Sequence, residues 1–404
     1  MKKRLSVLLF FVFAILVLTA CGKGDKCKAH NDANGDGKCE TCGESCAHTC
    51  VPGSAVTENC VEATCQSVGS YDAVVYCKGC KKEISRTNEV LEKLAAHNYV
   101  DRICTVCDWA EPTVGVKQYV RCDKNGNADE NGSYILFGTY PQSLKAEDVE
   151  ITDFTDFRGY YLGSDGSYYA KVVADPFSSD YKFATGETVM SHKVYYFKIE
   201  PIRWRILSEE KGRALILCDS IIANTAYQDN VSYEGGKPCT TANGAPAGTS
   251  ANNYAYSQLR AWLNGTFYDT AFNILQQDII CQVLVDNGAA SMGCSESDFS
   301  CADTKDNVFL LSYAEVTNAA YGFAASGNAS DPARCLATSD YARALGAYMQ
   351  LSEGYYGNGL WWLRSPYGFN ANSARYVYIS GSATGDTGVN KSEYGVVPAI
   401  RIFL

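Results

Sequence analysis

Pairs of cysteine and histidine at metal-ligand spacing are the first chemical feature of this sequence. Cys27 and His30 are separated by two residues, and so are Cys39 and Cys42. Each pair places two donor atoms on one turn, and two pairs supply the four ligands of a structural zinc ion. The eight residues between the pairs are mostly Asp, Asn and Gly, which favour tight turns. The spacing predicts a zinc-knuckle-like module over residues 21–44.

Two other interpretations of this stretch stay open. Asp32, Asn34, Asp36 and Gly37 match the first positions of an EF-hand calcium loop, but position 12 is Gly43 instead of a bidentate carboxylate. Disulfides are the stronger alternative, because an exported chain can meet an oxidising compartment. A metal explains the histidine and a disulfide does not, so zinc is the expected cofactor. Four Cys and His ligands leave no open coordination position, so the expected role of the zinc is structural.

The N-terminus predicts export. Three basic residues precede an uncharged apolar run over 7–18, which has signal-peptide length and is shorter than the about 20 residues of a membrane span. The sequence "LTAC" at 18–21 resembles a bacterial lipoprotein box. This resemblance implies a signal peptide over 1–20 and a lipid on Cys21 that anchors the protein to the extracellular face of the bacterial cell membrane. The alternative is an ordinary secretory signal with a coincidental cysteine.

Composition divides the rest of the chain. Of the 19 cysteines, 13 lie at or before Cys122, whereas aromatic and large aliphatic residues are concentrated in the C-terminal part. The cysteine-rich part has too few apolar residues for a good core and needs metals or disulfides. A net charge of −10 is unsuited to nucleic acid, whose phosphates are neutralised by Lys and Arg. The expected organisation is a cysteine-rich ribbon-like module over 45–112, a linker over 113–132 and a main domain over 133–404.

The order of histidine and Cys-x-x-Cys recurs along the cysteine-rich part. The stretches "HNDANGDGKCETC" and "HNYVDRICTVC" both contain it, and "YCKGC" adds another Cys-x-x-Cys. These stretches resemble cysteine-rich repeats in surface proteins of Gram-positive bacteria. The resemblance implies one zinc ligand set of His48, Cys65, Cys77 and Cys80, and a second of His97, Cys104 and Cys107 with Cys46 as the candidate fourth ligand. A ribbon that joins the pairs at 77–80 and 104–107 is the alternative.

The main domain mixes strand and helix patterns. The stretches "KVYYFKIEPIRWRIL" and "GRALILCDSII" alternate apolar and polar residues and predict two strands. Ser257 is a predicted N-cap for a helix in "SQLRAWLN", and Ser312 with Glu315 fits a capping box. The stretch "NILQQDIICQVLV" predicts a further helix, and the segments after residue 360 predict strands. Strands, then helices, then strands predict an α+β fold.

Six motifs in a fixed order carry a family resemblance over residues 133–404. They are "FGTYPQ", "PIRWRILS", "SQLRAWLN", "VFLLSYAEV", "WWLRSP" and "YGVVPAI". They resemble a bacterial surface domain of unknown function marked by "WWLRSP" and a closing "GVRPA". That domain is similar to the C-type-lectin-like fold shared with formylglycine-generating enzymes, so the resemblance implies a C-type-lectin-like domain. Val397 stands where the family carries Arg, so a role of that Arg carries over only if Arg401 supplies it.

Aromatic and polar residues of the main domain divide into core and ligand candidates. Large aromatic side chains mostly serve cores, and a buried Arg beside them is expected to form a salt bridge. The expected core residues are Trp204, Trp262, Trp361, Trp362 and Arg364. An exposed Trp beside Arg364 that binds a sugar or peptide is the alternative. Loops carry function, and the ligand-binding candidates in Gly/Asn-rich segments are Tyr355, Tyr356, Asn358, Tyr367, Asn370, Asn372 and Arg375.

Catalysis has little support in this sequence, and no catalytic residue is predicted. His192 is the only histidine after His97, and no nucleophile-elbow pattern accompanies it. A glycosidase needs only two carboxylates, which a sequence cannot place in space. The expected function is non-catalytic binding of a glycan or protein ligand by a membrane-anchored surface lipoprotein. The alternatives are an extracellular enzyme such as a carbohydrate hydrolase, and a purely structural surface protein.

Overall fold

The computed structural model describes residues 32–33, 38–40, 50–79, 81–94, 96–294 and 299–404. The predicted signal peptide, the lipid site at Cys21 and most of the 21–44 module lie outside the described residues. The chain divides into two compact units, one of Met1–Asn98 with Thr105–Cys107 and one of Tyr99–Cys104 with Asp108–Leu404. Among the described residues, no helix has the length and hydrophobicity that crossing a membrane requires.

The N-terminal unit holds a three-stranded antiparallel sheet. Its strands, in spatial order, are β1 (Pro52–Val61), β2 (Gly69–Cys77) and β3 (Glu83–Leu91). Val74 and Cys77 of the central strand are buried, whereas most side chains of β1 and β3 are exposed. Arg86 of β3 pairs with Glu58 of β1 at 2.9 Å and with Asp72 of β2 at 2.8 Å. Polar contacts across the strands therefore accompany a very small apolar core.

The strands of the C-terminal unit are short, with two exceptions near its centre. They are β4 (Tyr99–Val100), β5 (Ile103–Cys104), β6 (Val120–Cys122), β7 (Tyr134–Leu144), β8 (Ile151–Thr155), β9 (Tyr161–Gly163), β10 (Tyr168–Val173), β11 (Val194–Glu210), β12 (Arg213–Cys218), β13 (Ala223–Asn224), β14 (Ser232–Glu234), β15 (Lys237–Cys239), β16 (Val283–Val285), β17 (Thr304–Asp306), β18 (Val308–Phe309), β19 (Trp361–Pro366), β20 (Ser373–Val377), β21 (Gly385–Gly388), β22 (Gly395–Val396) and β23 (Ala399–Phe403).

Two larger sheets organise these strands. The first has nine strands, with the order β18-β23-β12-β11-β10-β9-β8, while β7 pairs with β11 and with β6. The second has the order β13-β22-β19-β20-β21, and its β19 and β22 are parallel. Three two-stranded pairs, β4-β5, β14-β15 and β16-β17, complete the pattern.

In the part of the chain that the structure describes, all helices are short. They are α1 (Gln258–Trp262), α2 (Tyr268–Ala271), α3 (Ile274–Gln277), α4 (Ala289–Met292), α5 (Tyr313–Val316) and α6 (Asp340–Ala344). A π-helical turn, Leu263–Phe267, joins α1 to α2. Single 3-10 turns lie at Ala242–Gly244, Tyr254–Tyr256, Ala319–Tyr321 and Pro332–Arg334.

The predicted α+β class is wrong. Of the residues that the structure describes, 37% lie in strands and 12% in helices, so the protein is mostly β, and the C-type-lectin-like prediction fails with the α+β class. One reason for the low helix content is that the helix predicted in "NILQQDIICQVLV" forms only in part, as α3. The backbone N–H of Cys281 donates to the Arg401 carbonyl at 2.7 Å, and that of Phe403 donates to the Ile279 carbonyl at 2.9 Å. Contact with the C-terminal strand thus replaces helical hydrogen bonds.

Several local predictions are confirmed. The long strands β11 and β12 cover the two alternating stretches. Ser257 caps α1, since its side chain accepts the backbone N–H of Arg260 at 3.1 Å. Ser312 and Glu315 form the predicted capping box at α5, with hydrogen bonds of 3.2 Å and 2.7 Å. These signals act within one turn of chain, so tertiary packing does not override them.

The main core of the C-terminal unit contains three fully buried tryptophans. Trp204, Trp361 and Trp362 each donate the indole N–H to a backbone carbonyl, at 2.7, 3.1 and 2.9 Å. A buried indole needs such an acceptor, because an unpaired N–H would be costly away from water. Trp262 is only partly buried and packs beside Phe267, with 5.4 Å between ring centroids.

Arg364 is buried in the same core, with 1% of its surface exposed. Its guanidinium donates to the carbonyl of Leu310 at 2.7 Å, to the carbonyl of Asp286 at 3.0 Å and to the hydroxyl of Ser291 at 3.3 Å. The carboxylate of Glu315 pairs with it. Burial disfavours the cation, but Glu315 outweighs that effect, and the pKa of Arg364 lies above its ordinary value.

Candidate functional sites

One group of cysteines and a histidine has the composition of a metal site. Cys65 lies in the turn between β1 and β2, Cys104 ends β5, and His97 and Cys107 lie on either side of the β4-β5 hairpin. Their ligand atoms all lie within 4.8 Å of one another. Cys104 is buried, and the other three are partly exposed. This group could hold a metal ion.

Hydrogen bonds fix several members of the group. The Sγ of Cys107 lies 3.4 Å from Nδ1 of His97, and Nε2 of the same ring lies 3.4 Å from the side-chain amide of Gln66. The Sγ of Cys65 approaches the Ala96 carbonyl at 3.6 Å. Three sulfur donors and one imidazole nitrogen form a soft, four-ligand set, which fits a tetrahedral zinc ion.

The group brings three predicted ligands together with a residue that was assigned to the other set. It contains His97, Cys104 and Cys107 together with Cys65, while the candidate fourth ligand Cys46 lies outside the described residues. Cys65 had been assigned with Cys77, which is buried at the end of β2 and does not belong to this group. Cys39 is buried, and the remaining predicted ligands, Cys27, His30, Cys42, Cys46, His48 and Cys80, lie outside the described residues.

A second feature is a group of aromatic side chains on the C-terminal unit. Tyr348 follows α6 and packs edge-on against Phe177, with 5.6 Å between ring centroids. Phe177 is 52% exposed, and Tyr378, just after β20, is 44% exposed. Burial raises the pKa of Tyr348, and the nearby Tyr378 raises it further. These three side chains therefore lie close together at the protein surface.

Two more tyrosines connect this surface to the core. The ring of Tyr394 stacks on buried Trp362 at 4.6 Å and meets Tyr376 edge-on at 4.9 Å. Tyr376 lies against Gly385, where an added Cβ would come within 2.6 Å of the ring. Burial and the neighbouring Tyr394 raise the pKa of Tyr376 to about 12, so its hydroxyl stays neutral. We call the set Phe177, Tyr348, Tyr376, Tyr378 and Tyr394 the tyrosine surface.

Three of the predicted ligand-binding residues lie on a loop next to the tyrosine surface. Tyr355 and Tyr356 are 40% and 56% exposed. The side-chain amide of Asn358 donates to the carbonyl of Ile379 at 3.0 Å, one residue after Tyr378. Asn358 therefore holds the loop in place, and the two tyrosines beside it remain accessible.

The other predicted ligand-binding residues form a separate group. The guanidinium of Arg375 lies over the rings of Tyr313 and Tyr367, at 4.7 and 5.6 Å from their centroids. In the turn after β19, the Oδ1 of Asn370 accepts the backbone N–H of Asn372 at 2.9 Å. Arg375 and the next residue of β20 point to opposite faces of the strand. The structure therefore does not place this group on the tyrosine surface.

The tyrosine surface was not predicted as a unit. Tyr348 and Tyr378 are 30 positions apart and Phe177 is far earlier in the chain, so no local pattern links them. The aromatic content of the main domain was the only sequence signal, and it did not separate these residues from core aromatics.

Comparison with known proteins identifies one domain. Residues 211–403 match a family model described as "Domain of unknown function (DUF6273)". No curated protein and no solved structure matches the chain. The matched residues begin just before β12, end with β23 and include the four tyrosines of the tyrosine surface, whereas the Cys65 group lies outside them.

Proposed function

We propose that this chain, whose residues 211–403 form a DUF6273 domain, binds a glycan through its tyrosine surface without catalysing a reaction. One observation carries the proposal. Phe177 and Tyr378 are about half exposed, Tyr348 packs against Phe177, and Tyr394 stacks on buried Trp362. Exposed aromatic rings on a rigid support are suited to recognition, because little side-chain entropy is lost on binding.

The chemistry of these side chains favours a glycan. Sugars present apolar C–H faces and many hydroxyl groups, and a tyrosine offers an apolar ring and a hydroxyl that donates and accepts. Burial raises the pKa values of Tyr348, Tyr376 and Tyr394 further above the already high value of an ordinary tyrosine. Tyr355 and Tyr356 add two exposed rings on the loop that Asn358 anchors to the Ile379 carbonyl. A protein ligand is the alternative outcome of the test below.

Binding to a glycan array tests the proposal. Tyr378→Ala and Tyr356→Ala are each expected to weaken binding of the glycans retained by the wild type about tenfold, because each removes an exposed ring, worth roughly 1–2 kcal/mol. Tyr233→Ala is the matched control, since Tyr233 is 66% exposed but lies on the β14-β15 hairpin. Absence of any glycan binding, or an equal loss with Tyr233→Ala, would show that the tyrosine surface is not a glycan site.

We further propose that Cys21 carries a lipid that holds the protein on the extracellular face of a bacterial cell membrane. The support is the order of basic residues, apolar run and "LTAC" at the N-terminus. In a bacterial host supplied with labelled palmitate, Cys21→Ser is expected to lose the label and leave the membrane fraction. The control Cys60→Ser is expected to keep both. Label retained by Cys21→Ser would exclude lipidation at this residue.

We propose zinc as the ion of the Cys65 group, with a structural role. The support is the donor set of three cysteines and one histidine, which matches known structural zinc sites and leaves no position for a substrate. In this role the zinc would hold the Cys65 turn against the segment from His97 to Cys107. Its removal has one of the largest effects expected for this protein.

A further inference from the structure

A polar cleft of about 380 Å³ lies on the nine-stranded sheet of the C-terminal unit. It is formed by the end of β7, the middle of β11 and the residues that follow β12. Its polar lining side chains include Gln142, Glu200, Arg203 and Asp219, and Asn125 in the turn after β6 also lines it. The volume falls in the lower part of the range for small-molecule sites.

The lining side chains are held in place by hydrogen bonds. Nε and Nη2 of Arg203 both donate to Oδ2 of Asp219, at 2.9 and 2.6 Å. The amide nitrogen of Gln142 donates to the carbonyls of Glu200 and Pro201, each at 3.1 Å. Groups that are fixed before a ligand arrives lose little freedom when they bind it.

These hydrogen bonds leave other polar atoms of the same side chains available to a ligand. Among the described residues, no hydrogen bond is made by Oδ1 of Asp219, Nη1 of Arg203 or Oε1 of Gln142. Burial raises the pKa of Asp219, although the neighbouring Arg203 opposes the shift. A ligand that bonds to these three atoms does not have to displace a partner within the protein.

The arrangement of charge limits the chemical class of the ligand. An anion would meet the carboxylates of Asp219 and Glu200, and a cation would meet the guanidinium of Arg203. A neutral hydroxyl group can accept from Nη1 of Arg203 and also donate to Oδ1 of Asp219. We infer that this cleft is a second carbohydrate site, separate from the tyrosine surface, which binds a neutral mono- or disaccharide.

In a larger cleft on the same unit, of about 460 Å³, the lining cations are already paired within the protein. Its Lys145 ammonium donates to the Val149 carbonyl at 2.5 Å, and its Lys193 ammonium pairs with Glu187 at 2.9 Å. The hydroxyl of Tyr195 is also bonded to backbone groups. The two lysines and the Tyr195 hydroxyl of that cleft therefore already have partners within the protein.

Saturation-transfer NMR on the whole chain tests the inference, with glucose, galactose, mannose and N-acetylglucosamine as separate probes. At least one sugar is expected to receive saturation. Asp219→Asn and Arg203→Lys are each expected to lower its affinity about tenfold, because each removes a charged hydrogen-bonding atom. Asp165→Asn is the matched control, since Asp165 pairs with Lys198 at 3.3 Å elsewhere on the sheet.

The variants also separate this site from the tyrosine surface. A signal that is lost in Tyr378→Ala but kept in Asp219→Asn and Arg203→Lys would place the sugar at the tyrosine surface and overturn the inference. Absence of transfer to all four sugars, or an unchanged signal in Asp219→Asn and Arg203→Lys, would overturn the inference. If Asp219→Asn melts at a lower temperature than the wild type, its lower affinity could result from lost stability. The affinity of Arg203→Lys then tests the inference, because that variant keeps a positive charge beside Asp219.

Discussion

Replacement of Arg364 by alanine is expected to lower the free energy of unfolding by about 3 to 5 kcal/mol. The change leaves the carboxylate of Glu315 and the carbonyls of Leu310 and Asp286 without their cationic donor. Buried polar atoms that lose a charged partner are more costly than the lost bond alone. Urea unfolding followed by circular dichroism measures the difference.

Two further variants make the Arg364 result interpretable. Arg401→Ala removes a more exposed pair with Glu210 at 3.4 Å and is expected to cost less than about 1 kcal/mol. Arg364→Lys is expected to fall between the wild type and Arg364→Ala, because an ammonium keeps the charge but cannot reach every acceptor of a planar guanidinium. A cost below about 1 kcal/mol for Arg364→Ala would mean that Arg364 does not organise the core.

The second large effect is expected at the Cys65 group. Cys65→Ser should remove one equivalent of zinc from the purified chain, because serine is a poor ligand for zinc. Binding of structural zinc contributes about 10 to 16 kcal/mol in small zinc modules, so the N-terminal unit should also become sensitive to proteolysis. Metal analysis by mass spectrometry and limited trypsin digestion measure the two effects.

Cys60→Ser is the matched control for the zinc experiment. Cys60 is exposed on β1 and does not belong to the metal-binding group. An equal zinc content in Cys65→Ser and Cys60→Ser would exclude the proposed ligand. A purified chain without zinc, whose cysteines do not react with a thiol reagent, would instead identify disulfides in the cysteine-rich part.

Local features of this fold could be predicted from sequence, whereas the class could not. Ser257, Ser312 and Glu315 act within one turn, and the alternation along β11 and β12 is long enough to identify strands. The apolar run at 279–285 fits a helix or a buried strand equally well. Backbone hydrogen bonds to β23, such as that from Cys281 to Arg401 120 residues later, favour the extended conformation. The α+β prediction failed because such distant contacts are not visible in the sequence.

The candidate sites also combine residues that are close in the sequence with residues that only the fold brings together. The Cys-x-x-Cys at 104–107 and its histidine were visible in the sequence, but Cys65 lies 32 residues before His97 and joins them only through the fold. The predicted ligand candidates included Tyr355 and Tyr356 because they lie in a Gly-rich loop. Tyr378 was not among these candidates, because it closely follows a strand, where aromatic residues are usually assigned to the core.

The contact between Gly385 and Tyr376 has a consequence for comparing chains that match the same domain model. The position of the ring depends on a neighbour that has no side chain, since any Cβ there would come within 2.6 Å of it. A homologue could keep all four tyrosines and still present them differently if the glycine were replaced. Conservation of the aromatic residues alone is thus an incomplete guide to which homologues share a ligand, and the glycine has to be compared with them.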